Sequence, residues 1–369
     1  MPVQSQSFDV AVVGGGAIGL ACAWRASQRG ARVVVVDSAE PGAWNVAAGM
    51  LAPVSEAEFG ERALLELGVE SASRYAAFCA ELQDPGYRAS GTMVVARDRD
   101  EAEALDRLAA FRRDLGLEVD RLRPTQARAL EPALAPTIRL ALDIEGDHSI
   151  DPRKLVAALS AAFTGVQRRG RVRGLLVRGG RVTGVKLADG AEIAAGAVVV
   201  AAGVHVAKLE MPSRLRVPIR PVKGQVMRLR DPRGAGLVER TIRGEQAYLV
   251  PRGDGRYVLG ATMEERGWDT SPTAGGVYEL LRDMSEIVPG IFELDIEELT
   301  AGLRPATPDN LPAIGRGALE GLVWATGHYR NGILLTPVTA DLVADVLSGV
   351  SLPDFAAAAD PRRFEGVLA

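Results

Sequence analysis

Between a short apolar run and a helix-patterned segment, Gly14, Gly16 and Gly19 stand in the spacing G-x-G-x-x-G, and the next apolar run closes on Asp37. The first run, FDVAVVG at 8–14, is β-branched and apolar at nearly every position, as a strand covered on both faces requires. GGGAIGLACAWRASQRG then reads as a glycine turn feeding a helix that stops at Gly30, and ARVVVVD reads as a second buried strand. A βαβ unit completed this early commits the start of the chain to a parallel sheet with helices on its faces. Each glycine has its own duty: Gly14 makes the tight turn, Gly16 lets a pyrophosphate reach the backbone, and Gly19 lets the helix lie close to the sheet. The helix N-terminus, with the amides of Ala17 and Ile18, then faces the phosphates, while Asp37, followed by Ser38, accepts hydrogen bonds from a ribose. The motif by itself does not separate FAD from NAD.

Composition narrows the function classes. The chain has 369 residues, 47% of them hydrophobic, enough for a large core and, by length, for two lobes. Lys+Arg 43 against Asp+Glu 47 gives a net charge of -4 without a dense basic block, which argues against a nucleic-acid partner. The polar start MPVQSQSFDV runs straight into a strand, and no apolar window reaches the roughly 20 residues that span a bilayer, so a cytoplasmic protein without membrane contact is expected. Two cysteines, Cys22 and Cys79, cannot build a disulfide framework or a metal site and are expected to be buried small apolar residues. With only His148, His205 and His328, a zinc centre or a histidine-based mechanism lacks its residues, and no metal is expected.

Further along, DPRKLVAALSAAF opens with Asp151 as an N-cap and Pro152 at the first helical position. GRVRGLLVRGGRVTGVKLADG reads as a meander with Gly-Gly and Asp-Gly turns, and AVVVAAG at 197–203 as another buried strand ending in glycine. Two excursions depart from this frame. Residues 86–140 carry a strand, GTMVVAR, and a charged amphipathic helix, RDEAEALDRLAAFRRDLG; residues 216–304 alternate strands and turns around one helix near 276–287. RPTQARALEPAL reads as a short proline-led helix without chemistry. The expected fold class is α/β: a Rossmann-like domain from 1–85, 141–215 and 305–369, with an interleaved α+β substrate-binding domain on a mainly antiparallel sheet from 86–140 and 216–304.

The segments flanking the cofactor are far apart in the chain. AAG at 201–203 and GHYRNGILLTPVTADLVADVL at 327–347 both lie far beyond Asp37, whereas a nicotinamide enzyme usually completes a compact nucleotide domain first. A ligand touched by three such segments must be long, and FAD is long enough. In the last stretch Arg330 and Asn331 sit between two glycines, ahead of an apolar helix whose free N–H groups carry partial positive charge. An anion is expected there. The flavin ring gathers negative charge near N1 and the adjacent carbonyl on reduction, and the RNGIL backbone suits that charge.

The segments VAVVGGGAIG with Asp37, AAGMLAP at 47–53, PVKGQ at 221–225, YLVPR at 248–252, GATM at 260–263, AGLRPATPDNLPAIGR at 301–316 and GHYRNGILLTP at 327–337 are similar, in this order, to the D-amino-acid-oxidase-like FAD-dependent amine oxidoreductases. Within them the chain resembles the glycine oxidases of the thiamine pathway. The resemblance implies an FAD-binding domain of the glutathione-reductase/p-hydroxybenzoate-hydroxylase kind. It places Arg304 and Tyr248 on the substrate carboxylate, the Arg330 carbonyl near the substrate amine, and Met263 against the pocket. It places Ala48, Gly49 and Met50 along the flavin ring, Val172 at the adenine, and Gly203, His328, Arg330, Asn331, Gly332, Ile333 and Leu334 on the cofactor. No residue is implied as a general acid or base. Val204 and His205 follow AAG where many relatives carry a small residue and a tryptophan, so His205 receives no catalytic role; Ala52 stands where some relatives have glycine. Relatives that attach flavin covalently use a cysteine, often in the C-terminal half; this sequence has none there, so non-covalent FAD is implied.

The implied activity is oxidative deamination of glycine, or of sarcosine or D-alanine, to the keto acid, ammonia and hydrogen peroxide with O2 as acceptor, supplying an imine for thiazole synthesis. A cytoplasmic homotetramer is implied with it. The alternatives are another D-amino-acid or sarcosine oxidase or dehydrogenase of the superfamily, and a non-catalytic flavoprotein subunit.

Overall fold

The computed structural model describes residues 7–234 and 236–365; most of the polar start at 1–6 lies outside them. The strand Phe8–Val13 pairs in parallel with Val33–Asp37 on one side and Glu192–Val200 on the other, with Val13 level with both Val36 and Val200. Val166–Arg169 adds beyond Val33–Asp37, and Leu322–Thr326 adds in parallel beside Glu192–Val200. Because these strands run the same way, the segments beginning at Gly14, Ser38, Ala201 and Gly327 all emerge from one edge of the sheet. That edge, at the carboxyl ends of parallel strands, is where open α/β sheets bind ligands. The convergence of distant segments thus follows from strand order.

The helices Ala17–Gln28, Pro152–Ala162 and Thr336–Leu347 cover one face and share a core with Leu51, Tyr75 and Phe78. Asp151 caps its helix as expected, accepting from the amides of Arg153 at 3.0 Å and Lys154 at 3.4 Å. The meander Val172–Arg178, Arg181–Leu187 attaches antiparallel to Glu192–Val200 and closes the other face.

The second sheet runs in the order Asp295–Ala306, Arg220–Arg230, Arg256–Gly260, Tyr248–Pro251, Thr241–Arg243, Thr92–Ala96, Leu140–Ile144, Asp120–Leu122. Every pairing is antiparallel except Thr241–Arg243 with Thr92–Ala96, so two chain excursions do build one mainly antiparallel sheet. One boundary shifts. Leu140–Ile144 pairs wholly within this second sheet, so the division expected at 140/141 cuts a strand; its apolar run LALDI matches either sheet by pattern. Asp295–Ala306 likewise runs past 304. The helix Ala274–Ser285 lies near the position read from sequence.

Candidate functional site

A cavity of about 1410 Å³ extends from the carboxyl edge of the parallel sheet to the face of the second sheet. At one end lie Gly14, Gly16, Ala17 and Ile18 with Asp37, Ser38, Val172 and Gly203. Gly14 has φ +107°, and a Cβ on Gly19 would overlap the Gly14 carbonyl, so the turn closes only with glycine at both positions. Gly19 therefore acts by packing and does not line the cavity. The amides of Gly16, Ala17 and Ile18 have no acceptor among the described residues, the state of a helix start awaiting an anion. The Asp37 carboxylate braces the turn: one oxygen accepts from Gly15 N–H at 2.7 Å and the other from Ala39 N–H at 2.6 Å. Each oxygen keeps a free lone pair for a ribose hydroxyl.

At the opposite flank, Gly332 and Ile333 line the cavity ahead of Thr336–Leu347, and the amides of Gly332, Ile333 and Leu334 have no acceptor among the described residues. Arg330 lines the wall, yet its guanidinium pairs with Glu61 at 3.3 Å. The positive potential at this junction therefore comes from the backbone amides, not from a free Arg330 cation. Glu61 stands 269 residues away in sequence, and no local pattern links the two. Asn331 and Leu334 do not line the cavity; both are buried, and the Leu334 side chain joins the helical core. His328 does line it but is buried, with Nε2 3.0 Å from the Thr339 hydroxyl, and burial holds its pKa at about 3, so it is neutral.

The third wall comes from the second sheet. Arg304 lines the cavity with Nη1 donating to the carbonyls of Lys223 at 3.2 Å and Thr262 at 3.1 Å. Among the described residues no carboxylate comes within 4.0 Å of its guanidinium. The space it occupies exists because its neighbour is Gly224; any Cβ there would overlap the guanidinium. Tyr248, half-buried, lies beside Arg304; burial raises its phenol above the ordinary value against the opposing pull of that cation, so it remains a proton donor. A cation with no acid partner among the described residues, next to a phenol O–H, has the donors to receive a carboxylate.

The narrowing expected from Met50, Tyr248 and Met263 is realised only in part. Met50 and Tyr248 pack against one cluster with Ala48, Val226, Val250 and Val258. Met263 lines the cavity too, but at its rim, 62% exposed, where its sulfur accepts from the Tyr329 hydroxyl at 3.2 Å. The segment carrying it turns outward once it has given the Thr262 carbonyl to Arg304. Ala52 is buried outside the cavity lining, so its methyl does not narrow the space.

Several contributors were not assigned from sequence. Trp44 lines the cavity and packs directly against Gly16, where a Cβ would come within 3.1 Å of the indole. An Arg243–Glu56 ion pair at 2.8 Å lines the wall, with Arg243 directly across the strand pair from Tyr248. Arg252 is buried and donates to the Ala48 carbonyl at 2.7 Å and the Ile150 carbonyl at 3.1 Å, fixing the segment of Ala48, Gly49 and Met50 that lines the cavity. Burial lowers its pKa to about 10, still a cation at neutral pH. Its place at the end of YLVPR was the available signal. His205 lies against Trp268, ring centroids 5.7 Å apart. Both cysteines are buried and outside the lining, Cys79 with its thiol pushed up to about 12. Among the described residues no group of three or more acidic, histidine or cysteine side chains is placed to hold a metal, and no helix is long and apolar enough to cross a membrane.

The residues fit a long dinucleotide: free amides and a ribose acceptor at one end and a second set of free amides farther along the same cavity, whose wall also carries Arg304. Comparison with known proteins agrees. The profile of the DAO family, FAD dependent oxidoreductase, matches residues 9–346. The chain is 34% identical over 356 residues to a glycine oxidase of Geobacillus kaustophilus, covering 93% of this chain and 94% of that protein. It is 33% identical to the bifunctional protein ThiO/ThiG of Synechocystis sp., covering 96% of this chain but spanning only 54% of that relative's length. The crystal structure of glycine oxidase from Geobacillus kaustophilus superposes with a TM-score of 0.90 at 32% identity, covering 97% of this chain and 99% of that one. This chain belongs to the DAO family of FAD-dependent oxidoreductases.

Proposed function

We propose that this enzyme oxidises glycine and comparably small amines at the α-carbon, with FAD held non-covalently and dioxygen as the final acceptor. The observation that carries the reading is Arg304: a guanidinium in the cavity wall that donates to two carbonyls, pairs with no carboxylate among the described residues and is set beside Tyr248. The similarity to proteins named glycine oxidase supports the choice of amine. FAD, when bound, supplies the two-electron acceptor.

The chain's own residues do the rest. Arg304 and Tyr248 hold the carboxylate, which fixes the α-carbon and contributes several kcal/mol by orientation alone. The Arg330 carbonyl receives the amine. His328 is buried and neutral and the family resemblance implies no general base, so the substrate is taken to react as its neutral amine. The amides of Gly332, Ile333 and Leu334 stabilise negative charge that develops on reduction. The imine product hydrolyses to glyoxylate and ammonia, or passes to thiazole synthesis, a place in thiamine formation supported by the name of the bifunctional relative. The remaining members of the site are Gly14, Gly16, Asp37, Ala48, Gly49, Met50, Val172 and Gly203 on the cofactor and Met263 at the mouth. The fold divides into an FAD-binding part and a substrate-binding part, and the working form is a cytoplasmic homotetramer.

The test is kcat/KM for glycine, sarcosine, D-alanine and D-phenylalanine at one oxygen level, with peroxide measured alongside. Glycine and sarcosine lead and peroxide appears in step with substrate loss. D-phenylalanine as the best substrate overturns the amine assignment, and turnover without peroxide overturns the acceptor.

A further inference from the structure

The three peptide carbonyls behind the free amides at 332–334 are each held by a hydroxyl. Tyr75 Oη donates to the Ile333 carbonyl at 2.6 Å, Thr336 Oγ1 to the Gly332 carbonyl at 2.9 Å, and Ser71 Oγ to the Leu334 carbonyl at 2.6 Å. Ser71 and Tyr75 sit one turn apart on the helix Arg62–Ala80, and all three residues are buried. A trans peptide unit is planar, with its C=O and the following N–H pointing in opposite directions. Fixing the Gly332 carbonyl therefore aims the Ile333 amide, and fixing the Ile333 carbonyl aims the Leu334 amide, away from the hydroxyls that hold them; Ile333 lines the cavity and Leu334 follows it directly in the turn. The third unit differs: the Leu334 carbonyl shares its plane with the Leu335 amide, which already donates to the Asn331 carbonyl at 2.8 Å.

We infer that Tyr75 and Thr336 are positioning residues that set the reduction potential of bound FAD by aiming the Ile333 and Leu334 amides, and that Ser71 holds the same turn without that effect. The inference rests on the FAD placement proposed above. Tyr75 suits the role because its ring cannot swing: it stacks on Tyr87 with centroids 6.2 Å apart and meets Phe78 edge-on at 6.3 Å. Burial keeps its phenol far above neutral pH, so it stays a donor throughout. Hydrogen bonds from amides strengthen as their acceptor gains negative charge. Fixed amides thus favour the reduced cofactor over the oxidised one, and a peptide unit held more loosely gives up part of that preference, as the Ile333–Leu334 unit does when the 3.2 Å bond from the Thr336 amide is all that remains on its carbonyl.

The experiment compares Tyr75→Phe, Thr336→Val and Ser71→Ala by equilibrium reduction of the FAD-loaded protein against a reference dye, without any amine substrate, together with thermal unfolding. Tyr75→Phe removes only the hydroxyl and keeps the ring packing. The expected result is an equilibrium constant for two-electron reduction lower by about tenfold, or about 30 mV more negative, in Tyr75→Phe and in Thr336→Val. Ser71→Ala loses comparable thermal stability with the potential unmoved. Potentials at the parent value in both variants overturn the inference, as does an equal shift in all three, which would mark general loosening of the turn. If one of the first two fails to fold, the other decides. Since glycine is absent, failure here leaves the amine-oxidation reading standing, and failure of glycine turnover leaves this result readable.

Discussion

Replacing Arg304 by alanine removes the cation to which the substrate carboxylate is assigned. Its guanidinium donates to the carbonyls of Lys223 and Thr262 and, among the described residues, pairs with no acid, so no acid among them is released to compensate or to obscure the loss. Truncating one partner of a buried, hydrogen-bonded charge pair costs about 2–5 kcal/mol. Arg304 is half-buried, and solvent screening moves the expectation to about 2–3 kcal/mol. At about 1.4 kcal/mol per factor of ten, kcat/KM for glycine falls about 30- to 150-fold. Arg304→Lys keeps the charge but loses the parallel donors and falls about tenfold. Flavin content stays at the parent level in both, because Arg304 stands on the second sheet while the free amides stand at the carboxyl edge of the first. Steady-state kinetics with glycine, alongside flavin absorbance per protein, measures both quantities. Arg304→Ala with parent-like kcat/KM and intact flavin would remove the carboxylate from Arg304 and with it the substrate pose.

Gly224→Val pushes a side chain into the guanidinium's space and raises KM for glycine without touching the residue that binds it; unchanged KM means Arg304 has room the geometry denies. Arg252→Met frees the Ala48 and Ile150 carbonyls, and FAD dissociates more readily, read by fluorescence of released flavin on dilution; parent-like retention rules out the clamp. Denaturing precipitation leaves all flavin in the supernatant, whereas flavin in the pellet contradicts non-covalent binding. Folded His328 sits at about 3 against an ordinary 6.5, so on acidification the unfolded chain takes up a proton that the folded chain refuses. Stability from this residue is full above 6.5 and lost progressively as pH falls toward 3, so His328→Gln flattens that acid limb in urea titrations; an unaltered pH slope contradicts it. Asp147, raised by burial to about 6 from 3.8, acts in the opposite sense, its contribution present below 3.8 and lost as pH rises through 6.

What the sequence made legible was local or carried by motif. The βαβ unit, the glycine turn and Asp37 follow from periodicity and spacing, since each feature is set by neighbours within one supersecondary unit. Arg304, Tyr248 and the 332–334 amides were reached through ordered motifs, and strand order explains why such distant segments meet. The strand Leu140–Ile144 was assigned to the wrong side because an apolar run does not name the sheet it joins. The Arg330–Glu61 and Arg243–Glu56 pairs were hidden for a related reason: an ion pair across 269 or 187 residues leaves no spacing signal. Met263 shows the limit from another direction. Its motif position placed it against the pocket, and it does line the cavity, but the turn after Thr262 sets it at the exposed rim. The hydroxyls of Ser71 and Tyr75 were invisible because backbone carbonyls are their partners, and any residue could supply those.

The central claim is that one cavity holds FAD and delivers a small amino acid to it. Anaerobic addition of glycine to the purified protein, followed by absorption spectroscopy, tests both halves in one cuvette. The expected result is a spectrum with oxidised-flavin bands that bleach on glycine and return when air is admitted. A protein that binds FAD fully yet keeps those bands unchanged with glycine, sarcosine and D-alanine would contradict the claim.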